Sequence, residues 1–167
     1  MLTDLQIQQD LEKLKDIAAK TMAKGSDFEI HTETIDGVEL PVFSNIPTSL
    51  GDYYRLSRGF EEECFLVFQE ERFSFGESLE LSRRFARALM ERYGIRKGDR
   101  VAICARNSPE WCMAFMAITQ SGAIAVPMNS WWQGREIEYG LRDSGSKLVI
   151  TDPPRLAQMQ DSLRALE

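Results

Sequence analysis

The chain has 167 residues, 43% of them hydrophobic and 28% charged, with 26 acidic against 20 basic side chains and a formal net charge of −6. That is the composition of one soluble domain able to bury a core without staples, so collagen-like, disordered and disulfide-framework proteins are excluded. The acidic balance gives no reason to expect nucleic acid as a partner, because neutralising phosphates takes a concentrated basic surface.

The charge is uneven along the chain. Residues 1–80 carry 7 basic and 17 acidic side chains, and residues 81–167 carry 13 and 9, with Arg supplying 11 of those 13. Two regions with different surfaces are expected. Cys64, Cys104 and Cys112 are odd in number with no C-x-x-C spacing, and MLTDLQIQQD lacks the pattern of a signal peptide. A reducing cytoplasm is the expected compartment. His31 is the only histidine, so a Ser-His-Asp triad or a His-rich metal site would depend on it alone; a solvated strand histidine is the plainer reading.

Residues 3–24 read as an amphipathic helix with Ile7, Leu11, Leu14, Ala18 and Met22 on one stripe, a Thr3/Gln6 capping box and Gly25 at C′. The stripe is expected to pack back on this chain or to dock a partner. Asp36-Gly37, between two short runs rich in β-branched residues, predicts a hairpin over 28–43, with Pro41 marking an edge. Thr48 or Ser49 then caps a short helix carrying Leu50, Tyr53, Tyr54 and Leu56. Glu61 to Glu63 read as a solvated turn.

CFLVFQEERFSF, 64–75, predicts two strands about a turn at Gln69 to Arg72. A Ser74/Glu77 capping box opens a helix with Leu81, Phe85, Ala88 and Leu89 on its inner face, ending at Gly94. Arg83, Arg84, Arg87 and Arg92 on its other faces could bind phosphate, but they do not converge and read as a charged exterior. From residue 95 the pattern is strand, helix, strand, helix, strand. Val101 to Ala105 is an apolar run suited to burial on both faces of a parallel sheet. Asn107 or Ser108 caps a helix with Pro109 at N1, running to Gly122. Ala123 to Val126 is a second buried strand, and a helix over about 135–143 leads to a strand over Lys147 to Thr151.

The 24 uncharged residues from Trp111 to Gly134 are long enough to span a membrane. Thr119 to Gly122, Pro127 and Asn129 break the run, so a buried helix, turn and strand account for it without a membrane span. The expected fold is α/β: an incomplete doubly wound, mainly parallel sheet flanked by helices, preceded by an N-terminal helix and β-hairpin. The expected divisions are 1–25 (helix), 26–63 (hairpin and short helix) and 64–167 (the α/β part). No G-x-G-x-x-G, G-x-x-x-x-G-K-[ST] or G-x-S-x-G motif is present.

Four stretches carry a family resemblance: RFSFGESLELSRRFARALMERYGIRKGDRVAI, RNSPEWCMAFMAITQSGAIAVPMN, EIEYGLRDSGSKLVITD and, more loosely, VFSNIPTSLGDYYRLS. In order and spacing they resemble the start of the large domain of the adenylate-forming acyl-CoA synthetases, the AMP-binding ligases, over about residues 40–152. Trp131 and Trp132, with Asp143-Ser144-Gly145 beyond, look most like the fatty-acyl branch. The resemblance implies ATP-dependent conversion of a carboxylate to acyl-adenylate and pyrophosphate, then displacement of AMP by the thiol of coenzyme A. It implies ATP, Mg²⁺ and CoA for a full-length parent. None of the family's signature catalytic residues can be carried onto a position here, so no catalytic, cofactor or metal residue is assigned.

The expectation is therefore an N-terminal fragment, inactive by itself, whose partner is the remainder of the parent enzyme. A standalone binding or regulatory module built on the same fold is the alternative. Trp131 and Trp132 are the residues expected near a functional surface: bordering an acyl tunnel, capping the sheet or meeting another subunit. A partial parallel sheet also leaves an unpaired edge, through which self-association is expected.

Overall fold

The computed structural model describes residues 3–164. The outermost residues of the expected divisions 1–25 and 64–167 lie outside that range. Contacts group the chain into two compact units, residues 1–48 and 49–167, whereas the sequence reading divides it at 25 and 63.

The first unit holds helix α1 (Asp4–Thr21) and strands β1 (Ile30–Ile35) and β2 (Val38–Phe43). α1 begins on the expected capping box, with Thr3 and Gln6 each bonding the other's backbone N–H. It ends three residues earlier than predicted, capped by Met22, so Gly25 lies in the following turn and not at C′. None of its residues is buried. β1 and β2 form an antiparallel two-stranded sheet with Ile35 opposite Val38. Asp36 and Gly37 have φ of 51° and 82°, the pair of left-handed residues that a type I′ turn requires.

The second unit begins with α2 (Leu50–Arg55), which Ser49 caps through the Asp52 N–H. β3 (Cys64–Phe68) and β4 (Glu71–Ser74) form a hairpin whose turn is the two residues Gln69 and Glu70, shorter than the predicted 69–72. Gln69 takes the left-handed conformation that lets the strands reverse there. α3 (Phe75–Tyr93) starts on the Ser74/Glu77 capping box and stops on left-handed Gly94.

Three parallel strands, β5 (Arg100–Cys104), β6 (Ile124–Pro127) and β7 (Leu148–Thr151), lie in the order β6-β5-β7. Successive side chains of a strand point to opposite faces, and β5 feeds a core on each. Val101 and Ile103 pack with Ala86 and Leu89 of α3 and with Ala114, Ala117 and Ile118 of α4 (Pro109–Gln120). Ala102 and Cys104 pack on the other face with Ile137 and Leu141 of α5 (Gly134–Ser144) and Met159 of α6 (Pro153–Arg164). The chain moves from β5 out to β6 over one face and back past β5 to β7 over the other. Both crossovers therefore share one hand, the doubly wound pattern.

Two expectations about burial are corrected. β6 is an edge of this sheet, so it is only partly covered, with Ile124 49% exposed. The inner face of α3 is rotated: Leu81 points outward, and Ser78, Leu79, Ser82, Ala86 and Leu89 are buried. Small side chains at 78, 82 and 86 let α3 lie close against α4, and Ser82 stays hydrogen-bonded by donating to Leu79 O and accepting from Gln120 Nε2 at 2.8 Å. α6 is an element beyond those predicted. Among the described residues, no helix is long and apolar enough to cross a membrane.

Candidate functional site

In an open α/β sheet, ligands bind beyond the carboxyl ends of the strands, where the connections diverge to opposite faces. Here that point lies between β5, whose chain leaves over the α4 face, and β7, whose chain leaves over the α6 face. Two charged residues sit on these exits. Arg106 follows β5, Asp152 follows β7, and the Arg106 Nε and backbone N–H both donate to Asp152 Oδ2, at 2.9 and 3.2 Å.

The other Asp152 oxygen accepts the Arg155 N–H at 2.9 Å, capping α6, and Thr151 Oγ1 donates to Cys104 O at 2.8 Å just inside. Desolvation raises the Asp152 carboxyl, but the hydrogen bonds from the Arg106 side chain and from the Arg155 and Arg106 backbones outweigh it and hold the group below its ordinary value. Phe68 and Gln69 from the β3–β4 hairpin, with Asn107, Ser108 and Glu110, complete a cavity of about 390 Å³ around this pair. Ser108 is the cap of α4, its Oγ accepting the Trp111 N–H, and Pro109 occupies the first turn.

Trp131 and Trp132 do not act as a pair. Trp132 packs into the α5–α6 core, where a Cβ added at Gly140 would come within 2.7 Å of its ring, and its carbonyl accepts Arg155 Nη1 at 3.2 Å. Trp131 is 83% exposed, its N–H bonded to Asn129 Oδ1.

A second cavity, of about 420 Å³, is apolar and lies between α2, β3, the start of α3 and α4. Tyr53, Tyr54, Leu56, Phe65, Phe75 and Met116 line it. The Phe65 and Phe75 rings meet at 4.5 Å, and the Tyr54 hydroxyl lies 3.0 Å from Thr119 Oγ1.

The remaining candidates are structural. His31 Nδ1 lies 2.9 Å from Ser44 Oγ and its Nε2 lies 4.0 Å from Glu33. That order of groups resembles a triad, but all three are exposed on the hairpin and the carboxylate is beyond hydrogen-bond reach. Arg83, Arg84, Arg87 and Arg92 are exposed, and Arg87 pairs with Glu91. Burial raises the Cys104 and Cys112 thiols, the opposite of nucleophile activation. Among the described residues, no group of three or more His, Cys, Asp or Glu could hold a metal ion.

The Arg106–Asp152 clamp joins residues 46 apart, which no local pattern announces. A usable signal was Asp152-Pro153, an N-cap followed by a proline suited to the first helical turn.

The AMP-binding enzyme family matches residues 55–167. The long-chain-fatty-acid–CoA ligase FadD13 of Mycobacterium tuberculosis is 46% identical over 72 residues, covering 43% of this chain and 14% of that protein. 4-Coumarate–CoA ligase 3 of Arabidopsis thaliana is 29% identical over 138 residues, covering 82% and 23%. Among solved structures, the N-terminal domain of FACL13 from Mycobacterium tuberculosis superposes with a TM-score of 0.65 at 33% identity, over 71% of this chain and 31% of that one. The chain thus spans between about a seventh and a quarter of the length of these curated relatives.

Proposed function

Because the chain belongs to the AMP-binding enzyme family, we propose that it is the N-terminal portion of the large domain of an ATP-dependent acid–thiol ligase, and that it does no chemistry alone. The parent reaction joins a carboxylate to the α-phosphate of ATP, releasing pyrophosphate, and the CoA thiol then displaces AMP to form a thioester. The observation that carries this reading is the family match over 55–167, in a chain spanning only 14% of FadD13. Fatty acids are the proposed substrate class, since a stretch of 72 residues is 46% identical to a long-chain-fatty-acid–CoA ligase.

The described residues do not fit a triphosphate or its Mg²⁺. At the carboxyl end of the sheet the turn after β5 has no glycine to let backbone N–H groups approach phosphate. Its single arginine is already held by Asp152, and Glu110 and Asp152 line the same cavity and would repel an anion. The role of this portion is architectural: it supplies the β6-β5-β7 sheet and its flanking helices on which the remainder of the enzyme is built. Of the tryptophan pair, Trp132 anchors the loop and Trp131 is the ring offered to a functional surface, the acyl tunnel being the family-based reading. Three unpaired cysteines support a reducing, cytoplasmic setting.

The test is pyrophosphate release with ATP and a fatty acid, assayed for this chain and for the product of its reading frame followed beyond codon 167. Activity only in a longer product, whose added sequence carries a Ser/Thr/Gly-rich loop with a lysine, supports the reading. A stop codon at that point with partner binding by the chain supports a regulatory module instead.

A further inference from the structure

The apolar cavity between α2, β3, the start of α3 and α4 has no part in the proposed ligase chemistry. Its walls come from residues 53–116, all in the second unit. Phe65 and Phe75 form one side, their ring centroids 4.5 Å apart and their planes tilted by 35°. Tyr53 and Tyr54 meet edge to face at 6.4 Å, with Tyr53 59% exposed at the solvent-side rim. Met116 is buried and supplies a polarisable thioether that adapts to the shape of a neighbouring ring. About 420 Å³ of space bounded by aromatic side chains and few polar groups is the ordinary form of a small-molecule site.

Two hydroxyls in the lining, those of Tyr54 and Ser57, decide what this space accepts. Thr119 Oγ1 donates its proton to Phe115 O at 2.8 Å. Across the 3.0 Å contact between Thr119 and Tyr54 it is therefore the Tyr54 hydroxyl that donates. Ser57 Oγ donates to Tyr54 O at 2.7 Å. A hydroxyl has a single proton, and both are committed to the protein, so both oxygens offer a ligand lone pairs only. No charged residue lines the cavity, and a carboxylate placed in it would lose its hydration with no cation in return.

We propose that this cavity binds a small neutral aromatic molecule carrying one N–H or O–H donor, of the indole or phenol class. The ring lies among Phe65, Phe75 and Met116, and the donor bonds the Ser57 or the Tyr54 oxygen. Such a ligand is not the carboxylate of the proposed ligase reaction, and its binding does not depend on that activity.

The experiment titrates the whole chain with three probes, followed by NMR of the methionine methyl groups. Indole has ring and donor, 1-methylindole lacks the donor, and indole-3-carboxylate adds a negative charge. Indole should shift the Met116 methyl, identified by its absence from Met116→Leu, and leave that of Met90, an exposed residue of α3, in place. 1-Methylindole should bind about fivefold more weakly, the effect of one hydrogen bond, and the carboxylate about tenfold more weakly or worse. Ser57→Ala or Tyr54→Phe, each of which removes one acceptor oxygen and keeps the rings, should weaken indole about fivefold and leave 1-methylindole unchanged. An unmoved Met116 methyl at the solubility limit of indole overturns the proposal. So does equal affinity for 1-methylindole or for the carboxylate, or full affinity for indole in both hydroxyl variants.

Discussion

Arg106 and Asp152 tie together the two loops at the carboxyl end of the sheet, the guanidinium and a backbone N–H of one residue converging on a single oxygen of the other. The same carboxylate caps α6 through its second oxygen. One side chain thus fixes where the β5 exit, the β7 exit and the α6 start sit relative to each other.

Replacing Asp152 should consequently loosen α6. Asp152→Ala removes a helix cap, a change that costs about 1 kcal/mol, and the loss of the clamp adds to it; urea unfolding reads the sum. Because the folded carboxyl is held below its ordinary value, the charged form is favoured by folding. Its contribution is present above the unfolded carboxylate value of about 3.9 and is lost as pH falls through the lower folded value. Asp152→Asn should flatten that part of the acid limb of a stability-versus-pH curve.

Two buried serines one turn apart on α3 should respond in opposite ways. Ser78 Oγ is buried with no hydrogen-bond partner among the described residues, so Ser78→Ala should be neutral or stabilise by up to about 1 kcal/mol. Ser82 Oγ accepts from the Gln120 amide, and Ser82→Ala, which strands that donor, should destabilise by about 1 kcal/mol. Paired thermal melts check the sign of each.

Gly140 is required by contact and not by backbone conformation. A methyl there would come 2.7 Å from the Trp132 ring and 2.8 Å from Met128 Cε. Helix propensity favours Gly140→Ala by about 1 kcal/mol, but overpacking costs about 1–3 kcal/mol. The expected outcome is a net loss of stability with a red-shifted tryptophan emission as Trp132 is displaced. Trp131→Ala, at an exposed ring, should stay within about 0.5 kcal/mol of the parent chain.

The parts of this fold that could be read from the sequence are those where local chemistry and tertiary context agree. Val101 to Cys104 are apolar because both faces of β5 are covered. Ser108-Pro109, Ser74/Glu77 and Asp36-Gly37 each satisfy their own backbone groups within four residues. The α3 face was misplaced because its seam uses Ser78, Ser82 and Ala86, chosen for close approach to α4 and invisible to a search for large apolar residues. Trp131 and Trp132 are adjacent in sequence but separated by a core boundary, which only the packing of Gly140 against Trp132 reveals.

The proposed function is that this chain is the N-terminal portion of an acid–thiol ligase and does no chemistry alone. Its most direct test is the release of pyrophosphate by the purified 167-residue chain supplied with ATP, Mg²⁺ and a range of fatty and aryl acids. No release above the protein-free background is predicted. Acid-dependent release that scales with the concentration of this chain would show that the chain handles ATP by itself.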